Sequence, residues 1–542
     1  MSNRLWTTDD RWLVRDEVHY GDRMVRCYKN RSATLDQVFR NTVTQYPDAP
    51  AVVMDRESID YQSLDALVDN MAGNLAKLGI EKGDRVALLL GNRFEFITAT
   101  LASARIGAIS VPMNIRQQAR ETEFILNQCG AKVLLHEASL SDVLPERIDV
   151  PELEHVFAAG DEPTKSPSIG ELAIRATPPE VEISEEDIAT ILYTSGTTGR
   201  PKGATLTHFG HIHSLMHFEH CMQLRPGDKT ILAVPASHVT GLVAIILSMI
   251  NIGGCTVMMK EFKARAYLEL AAREQISMTI LVPAMYNLCL LDPDFESFDL
   301  SSWRIGGFGG APMPKDTITR LAKQLPNLVL MNAYGATETT SPTTMMPLGQ
   351  TEGHEDSIGQ VVPCGGVRIM DDDGREVEPG ESGEIWIAGP MIVPGYWDNP
   401  EANVKEFTNG WWHSGDIGSL DENGFVRIFD RKKDMINRAG FKVYSAEVES
   451  VMSFHPDIIE LAIVGRPDPV LGEKVQAFVV STPELSSAEE LRTWCATQMS
   501  NYKVPDFVTF LDDPLPRNAN GKILKRTLRD IIDAEMQQAA SG

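Results

Sequence analysis

The sequence contains no apolar run long enough to cross a bilayer. Its longest, Val239 to Met259, is broken by Asn251 and by the Gly253–Gly254 pair, before it reaches the ~20 residues a spanning helix needs. It reads instead as a buried helix, a turn and a strand. The N-terminal MSNRLWTTDDRW lacks the apolar core of a signal peptide, and the C-terminal AASG is no recognised address, so a cytoplasmic location is expected. Cysteine is sparse: seven residues, an odd number, scattered and never in CxxC spacing, which reads as reduced thiols rather than a disulfide framework. Positive charge is also short, with 50 Lys and Arg against 75 Asp and Glu and a formal net charge of −25. That balance excludes a general nucleic-acid binder, which needs clustered cations to displace phosphate counterions. Low-complexity tracts and repeats are absent as well.

What remains is an ordinary globular composition, 43% hydrophobic and 23% charged, over 542 residues, enough for several structural units. From Leu35 to about Asn114 helical and strand patterns alternate: an amphipathic run Leu64–Leu78, an apolar strand Val86–Leu90, a helix Phe94–Arg105 and a strand Ala108–Pro112. This rhythm predicts βα units around a largely parallel sheet, and it continues to about residue 330. Beyond Gly359 short strands alternate with turn signals such as DDDG and DENG, which predicts a small β-rich subdomain over about 359–431. The charged segment RKKD then leads into strands near Leu461–Val464 and Val475–Val480 and a helix near Ser487–Met499. The expected fold class is therefore α/β, with an N-terminal domain over 1–431, a hinge at 432–433, and a small mobile α+β domain over 434–542.

The segment YTSGTTGRPKG, Tyr193 to Gly203, follows a predicted strand. Its glycines let backbone N–H groups face anionic oxygens, its hydroxyls add donors, and Lys202 adds charge, a composition suited to polyphosphate. The Walker spacing fails, because Pro201 precedes Lys202, and Gly306–Pro312 misses the dinucleotide fingerprint. GGAP at Gly309–Pro312, NAYGATE at Asn332–Glu338, HSGD ending at Asp416, and LPRNANGKILKR at Leu515–Arg526 follow in order. Together these strings resemble the adenylate-forming superfamily of acyl-CoA synthetases, peptide-synthetase adenylation domains and beetle luciferases, over nearly the whole chain, most closely the branch of fatty-acid–CoA ligases.

The resemblance implies an ATP or AMP site made of Thr194, Ser195, Gly196, Thr197, Thr198, Gly199 and Lys202, of Gly310, Ala311 and Pro312, of Asn332, Ala333, Tyr334, Gly335, Ala336 and Thr337, and of Asp416, Arg431 and Lys522. Thr337 would contact the α-phosphate, while Thr194 and Glu338 would hold Mg²⁺, whose preference is for oxygen ligands. Asp416 and Arg431 would bind the ribose. Lys522 would stabilise charge as pyrophosphate leaves, and Lys433 falls at the hinge position. The loop in NRAGFKVYSAEVE, Asn437 to Glu449, would meet coenzyme A through Gly440, Phe441 and Lys442, although Ala439 stands where many relatives carry a second glycine.

An acyl pocket is implied beside VPASHVTGL, with His238 as its pivotal and catalytic residue and Val239, Val243, Gly307, Gly309, Met331 and Thr339 as walls. That block lacks the aspartate with which amino-acid-activating relatives bind an ammonium, so an acid without an α-amino group is expected. Fatty and aryl acids both fit. With no aromatic or charged partner for a substituted ring, a medium- or long-chain fatty acid is favoured. The expected partners are a small carboxylic acid, ATP and CoA, with a carrier protein as the alternative acceptor and a non-catalytic nucleotide-binding regulator as the rival from another class. A homodimer is compatible with the sequence. THFGHIHSLMHFEH places five histidines in one helical stretch, but without HExxH or a spaced acidic ligand the reading is surface or packing histidines rather than zinc.

Overall fold

The computed structural model describes residue 6 and residues 9–194, 201–311, 313–485, 487–517 and 522–541. The chain forms two compact units: Met1–Arg368 with Trp386–His413 and Asp421–Val426, and Ile369–Ile385 with Ser414–Leu420 and Arg427–Gly542. The β-rich stretch after Gly359 is thus shared between them.

In the first unit the βα rhythm builds three sheets rather than one, because local periodicity fixes strands but not their partners. A six-stranded sheet runs in the order Lys202–Thr207, Ile188–Thr194, Ile109–Pro112, Arg85–Leu89, Ala131–Glu137 and His155–Ala159. Only its first pair is antiparallel. Its central strands are buried over most of their length, as apolar runs covered on both faces must be. A four-stranded sheet joins Lys229–Leu232, Cys255–Met258, Pro50–Met54 and Glu57–Asp60. A third begins with parallel strands Met278–Leu281, Ile305–Phe308 and Val329–Tyr334.

The expected helix at Phe94–Arg105 forms with those bounds. It ends on an ion cluster that the sequence pattern does not announce. Arg105, with its side chain 1% exposed, holds Asp36, Asp65 and Asp69 at 2.7 Å each, tying the helix to Leu35–Gln45 and Tyr61–Lys77. Arg105→Ala would leave three carboxylates facing one another around a cavity. A loss of about 3 kcal/mol is expected, read as a lower thermal midpoint.

The second unit is α+β. Strands Ile458–Asp468 and Gly472–Ser481 pair antiparallel, Phe507–Phe510 adds in parallel, and the short hairpin Ile436–Arg438/Phe441–Val443 completes the sheet. Alternate residues face opposite ways. Ile463, Val475, Ala477 and Val479 pack with Val448, Met452, Leu491 and Cys495, while Ala462, Val464 and Phe478 pack with Leu528 and Ile532. Among the described residues, no helix is long and apolar enough to cross a membrane.

Candidate active site

The phosphate-loop string connects two antiparallel strands, with Thr194 opposite Lys202 and the Thr194 hydroxyl donating to the Lys202 carbonyl at 3.4 Å. It is a hairpin connection, not a strand-to-helix turn, in keeping with the failed Walker spacing. Ser195, Gly196, Thr197, Thr198 and Gly199 lie outside the described residues, as does Pro312. The outgoing strand is braced along its open edge. Trp397 N–H donates to the Gly203 carbonyl at 2.7 Å, Thr205 N–H donates to the Gly395 carbonyl at 3.1 Å, and Ala204 pairs with Tyr396.

The second and third motif blocks sit at the C-terminal ends of the adjacent parallel strands Ile305–Phe308 and Val329–Tyr334, where open α/β sheets place ligands. A Cβ on Gly309 would lie 2.3 Å from the Ala333 carbonyl oxygen, so the close approach of the two blocks requires glycine there. Gly310 follows at φ +77°. Asn332 donates from Nδ2 to the Ser357 carbonyl at 3.3 Å. Ala336 N–H donates to the Thr339 hydroxyl at 2.9 Å, and that hydroxyl donates to the Ala336 carbonyl at 3.0 Å. Thr339 therefore closes the turn Thr337–Thr339 that carries Glu338.

Glu338 is buried, and desolvation raises its carboxyl pKa. Its Oε1 lies 3.0 Å from the Tyr396 hydroxyl, which lies 2.6 Å from Glu406 Oε2; Glu406 Oε1 in turn holds Lys202 Nζ at 2.5 Å. The buried Glu338 carboxylate is an oxygen ligand of the kind that a hard divalent cation such as Mg²⁺ prefers. Tyr396 and Glu406 escape a sequence reading because they lie about two hundred residues from Lys202 and carry no local signal of their own.

Val243 and Met331 are fully buried and Val239 nearly so, while Gly307 backs onto Ile280 and the Met222 methyl group. The expected helix after His238 is a π-helix, Thr240–Leu247, a wide winding that often marks functional segments. The Ser248 hydroxyl donates to the Val243 carbonyl five residues back at 2.8 Å, satisfying a group in that wider turn. His238 is exposed, yet the dense protein around it lowers its pKa by desolvation. Thr240 N–H points at His238 Nδ1 at 3.2 Å, which leaves the neutral ring's proton on Nε2.

In the second unit Asp416 Oδ1 pairs with Arg431 Nε at 2.8 Å, and Arg431 donates to the Ser414 carbonyl at 3.1 Å. Lys522 belongs to the same neighbourhood. Its pKa is lowered first by desolvation and then by the Arg431 and Lys433 cations, against the pull of Asp416 and Asp434. Lys522, about ninety residues further along the chain, thus shares one electrostatic environment with Asp416 and Arg431. The Lys433 ammonium is likewise held low by desolvation, while its carbonyl accepts from Arg529 at 3.1 Å. Ala439 and Gly440 form the two-residue turn of the hairpin at φ +51° and +88°. Phe441 is 58% exposed and stacks on Tyr502 at 4.9 Å, and Lys442 is exposed. A left-handed alanine is disfavoured, so Ala439→Gly is expected to stabilise this unit by about 0.5–1 kcal/mol, seen as a higher thermal midpoint.

The model of the AMP-binding enzyme family matches residues 39–397, and that of the AMP-binding enzyme C-terminal domain matches 447–522. The chain belongs to the AMP-binding enzyme family. Within it the chain falls in the acyl-CoA synthetase branch. It is 36% identical to a long-chain-fatty-acid–CoA ligase of Mycobacterium tuberculosis over 482 residues, covering 88% of this chain and 93% of that one. It is 33% identical to a feruloyl-CoA synthase of Amycolatopsis over 491 residues, covering 89% and 96%. The solved O-succinylbenzoate coenzyme A synthetase of Bacillus subtilis, in complex with ATP and magnesium, superposes with a TM-score of 0.82 at 28% identity, covering 92% of this chain and 100% of that one.

In this AMP-binding enzyme the histidine-rich segment is a helix, His208–Met222, buried along its whole length, so its histidines are packing groups and not surface ones. His208 Nδ1 accepts from Leu35 N–H at 3.2 Å, His213 lies between the Phe209 carbonyl and Tyr28 N–H, and His220 stacks on Trp12 at 4.3 Å. Among the described residues the cluster with metal-ligand spacing is Glu17, His19 and Cys27. There Arg31 donates to both Glu17 oxygens, and the two His19 ring nitrogens meet Glu17 and Glu186.

Proposed function

We propose that this acid–CoA ligase activates a medium- or long-chain fatty acid. The observation that carries the choice of acid is the aliphatic character of the segment that follows His238, where Val239 and Val243 are buried, with no carboxylate for an ammonium in VPASHVTGL. The specific observation favouring an aryl acid instead is the feruloyl-CoA synthase relative.

In the first half-reaction an oxygen of the acid attacks the α-phosphorus of ATP, pyrophosphate leaves, and acyl-AMP forms. Lys202 with the hydroxyls and N–H groups of its loop binds the polyphosphate, Gly310–Pro312 and Asn332–Ala336 enclose the adenine, and Thr337 contacts the α-phosphate. Asp416 accepts from the ribose hydroxyls with Arg431 beside it, and Lys522 places an ammonium against the charge that develops on oxygen. Mg²⁺, held by Thr194 and Glu338, would neutralise polyphosphate charge. In the second half the CoA sulfur attacks the acyl carbon and AMP leaves, with Gly440, Phe441 and Lys442 serving the thiol substrate. His238 and the residues near Gly307, Gly309 and Thr339 orient the acid. The two halves draw on different residues of the C-terminal domain, which moves about the hinge at 432–433.

The test is incubation with MgATP and a mixed panel of fatty, aryl and amino acids, with and without CoA, followed by mass spectrometry. A fatty acyl-CoA with matching AMP is expected. An aryl-CoA product would replace the proposed acid, and acyl-AMP indifferent to CoA would replace the acceptor with a carrier protein.

A further inference from the structure

The Lys202 ammonium is already engaged. Its 2.5 Å ion pair with Glu406 is shielded, with side-chain exposures of 11% and 26%, and Nζ also stands 4.3 Å from the centre of the Tyr396 ring. Glu406 closes the helix Pro400–Glu406, an end whose carbonyls disfavour an anion, so its carboxylate depends on Lys202 and on Tyr396. The Tyr396 phenol has one proton to give, but carboxylates stand on two sides of it, Glu406 at 2.6 Å and Glu338 at 3.0 Å. The tyrosine itself is fixed. Its N–H donates to Asn403 Oδ1 at 2.6 Å, its carbonyl accepts from Asn403 Nδ2 at 3.1 Å, and its ring meets Phe407 edge-on at 5.6 Å.

We propose that Glu406 is a counter-ion latch on the phosphate loop: it holds Lys202 until polyphosphate takes the ammonium away, and Tyr396 sets the strength of the latch by sharing its O–H between Glu406 and Glu338. This rests on the reading that Lys202 meets the ATP phosphates. When Lys202 leaves, Glu406 loses its cation and draws the phenol proton fully to itself, and the Glu338 carboxylate gives up its donor. Glu406 and Tyr396 are positioning residues, acting through Lys202 and Glu338. ATP must therefore compete with an internal carboxylate for Lys202, and the competition is weaker when the phenol already satisfies Glu406.

The test is equilibrium binding of ATP in EDTA, without acid substrate, so that neither turnover nor metal enters. Glu406→Gln should tighten ATP binding about three- to tenfold, because the competing anion is gone. Tyr396→Phe keeps the ring over Lys202 but removes the O–H, and should weaken binding about threefold. In the Glu406→Gln background Tyr396→Phe should have no effect, since it acts through that carboxylate. A purely structural role would lower the thermal midpoint of both variants without opposite shifts in affinity. Unchanged or weaker ATP binding by Glu406→Gln overturns the latch. Should that variant fail to fold, tighter or unchanged binding by Tyr396→Phe overturns it instead. Lys202→Met separates the two levels: if it leaves ATP affinity unchanged, the reading of Lys202 as a phosphate contact falls and the latch with it, whereas if it weakens ATP and Glu406→Gln does not strengthen it, only the latch falls.

Discussion

Lys522→Ala is expected to slow acyl-AMP formation by about 10²–10³-fold, the effect of removing one preorganised group that faces charge developing on oxygen. Thioester formation from supplied acyl-AMP and CoA should stay within a few-fold of wild type. The two rates are measured separately, as pyrophosphate release and as acyl-CoA formation from synthetic acyl-AMP; equal losses in both would remove the assigned role. A pH profile adds a second signature. Desolvation and the neighbouring Arg431 and Lys433 lower the Lys522 pKa, so the ammonium is lost at a lower pH than in an ordinary lysine. The adenylation rate should accordingly fall earlier on the alkaline side, with the supplied-adenylate reaction indifferent to that limb.

Mild acid should destabilise the fold steeply. Burial pushes the imidazoles of His208, His211 and His213 down to about 4, 3 and 3, so they are neutral in the folded chain. In the unfolded chain they take up protons below about pH 6.5. Their stabilising contribution is complete above that pH and is lost as pH falls from 6.5 toward their folded values, at about 1.4 kcal/mol per pH unit each, or about 4 for the three. Against a typical stability of about 5–15 kcal/mol this is a large fraction. Glu219, Glu338, Asp430 and Glu449 act in the opposite sense, because burial raises their pKa values and the fold gains as they protonate. The thermal midpoint should drop markedly between pH 7 and pH 5, and His213→Gln should flatten the slope by one proton's worth. A midpoint constant across that interval would contradict the neutral packing of this helix.

The parts of this enzyme legible from sequence are those in which chemistry and local spacing coincide. The helix at Phe94–Arg105 and the strands about Val86, Thr256 and Val475 follow from periodicity alone, because burial of one face leaves that imprint. The motif blocks are recognisable as strings, and the structure pairs Asp416 of one with Arg431 of another at 2.8 Å. Sheet partition was not legible, since the pairing of Thr256 with Val52 is decided by packing across two hundred residues. The same distance hides Glu406 and Tyr396 from any reading of the Lys202 loop. The π-winding after His238 was hidden for another reason: apolar periodicity does not distinguish it from an ordinary buried helix.

All seven cysteines are buried and unpaired, and desolvation raises every one of their thiol pKa values, those of Cys27, Cys129 and Cys289 to about 12 and those of Cys255 and Cys495 to about 11. A catalyst that generates a mixed anhydride and offers it to a sulfur nucleophile risks acylating itself. Near neutral pH these side chains supply almost no thiolate, and they are sequestered from solvent, so no cysteine of the polypeptide competes with the incoming thiol of coenzyme A. The selectivity of the transfer is thereby built into the packing of the protein as well as into its recognition of the thiol.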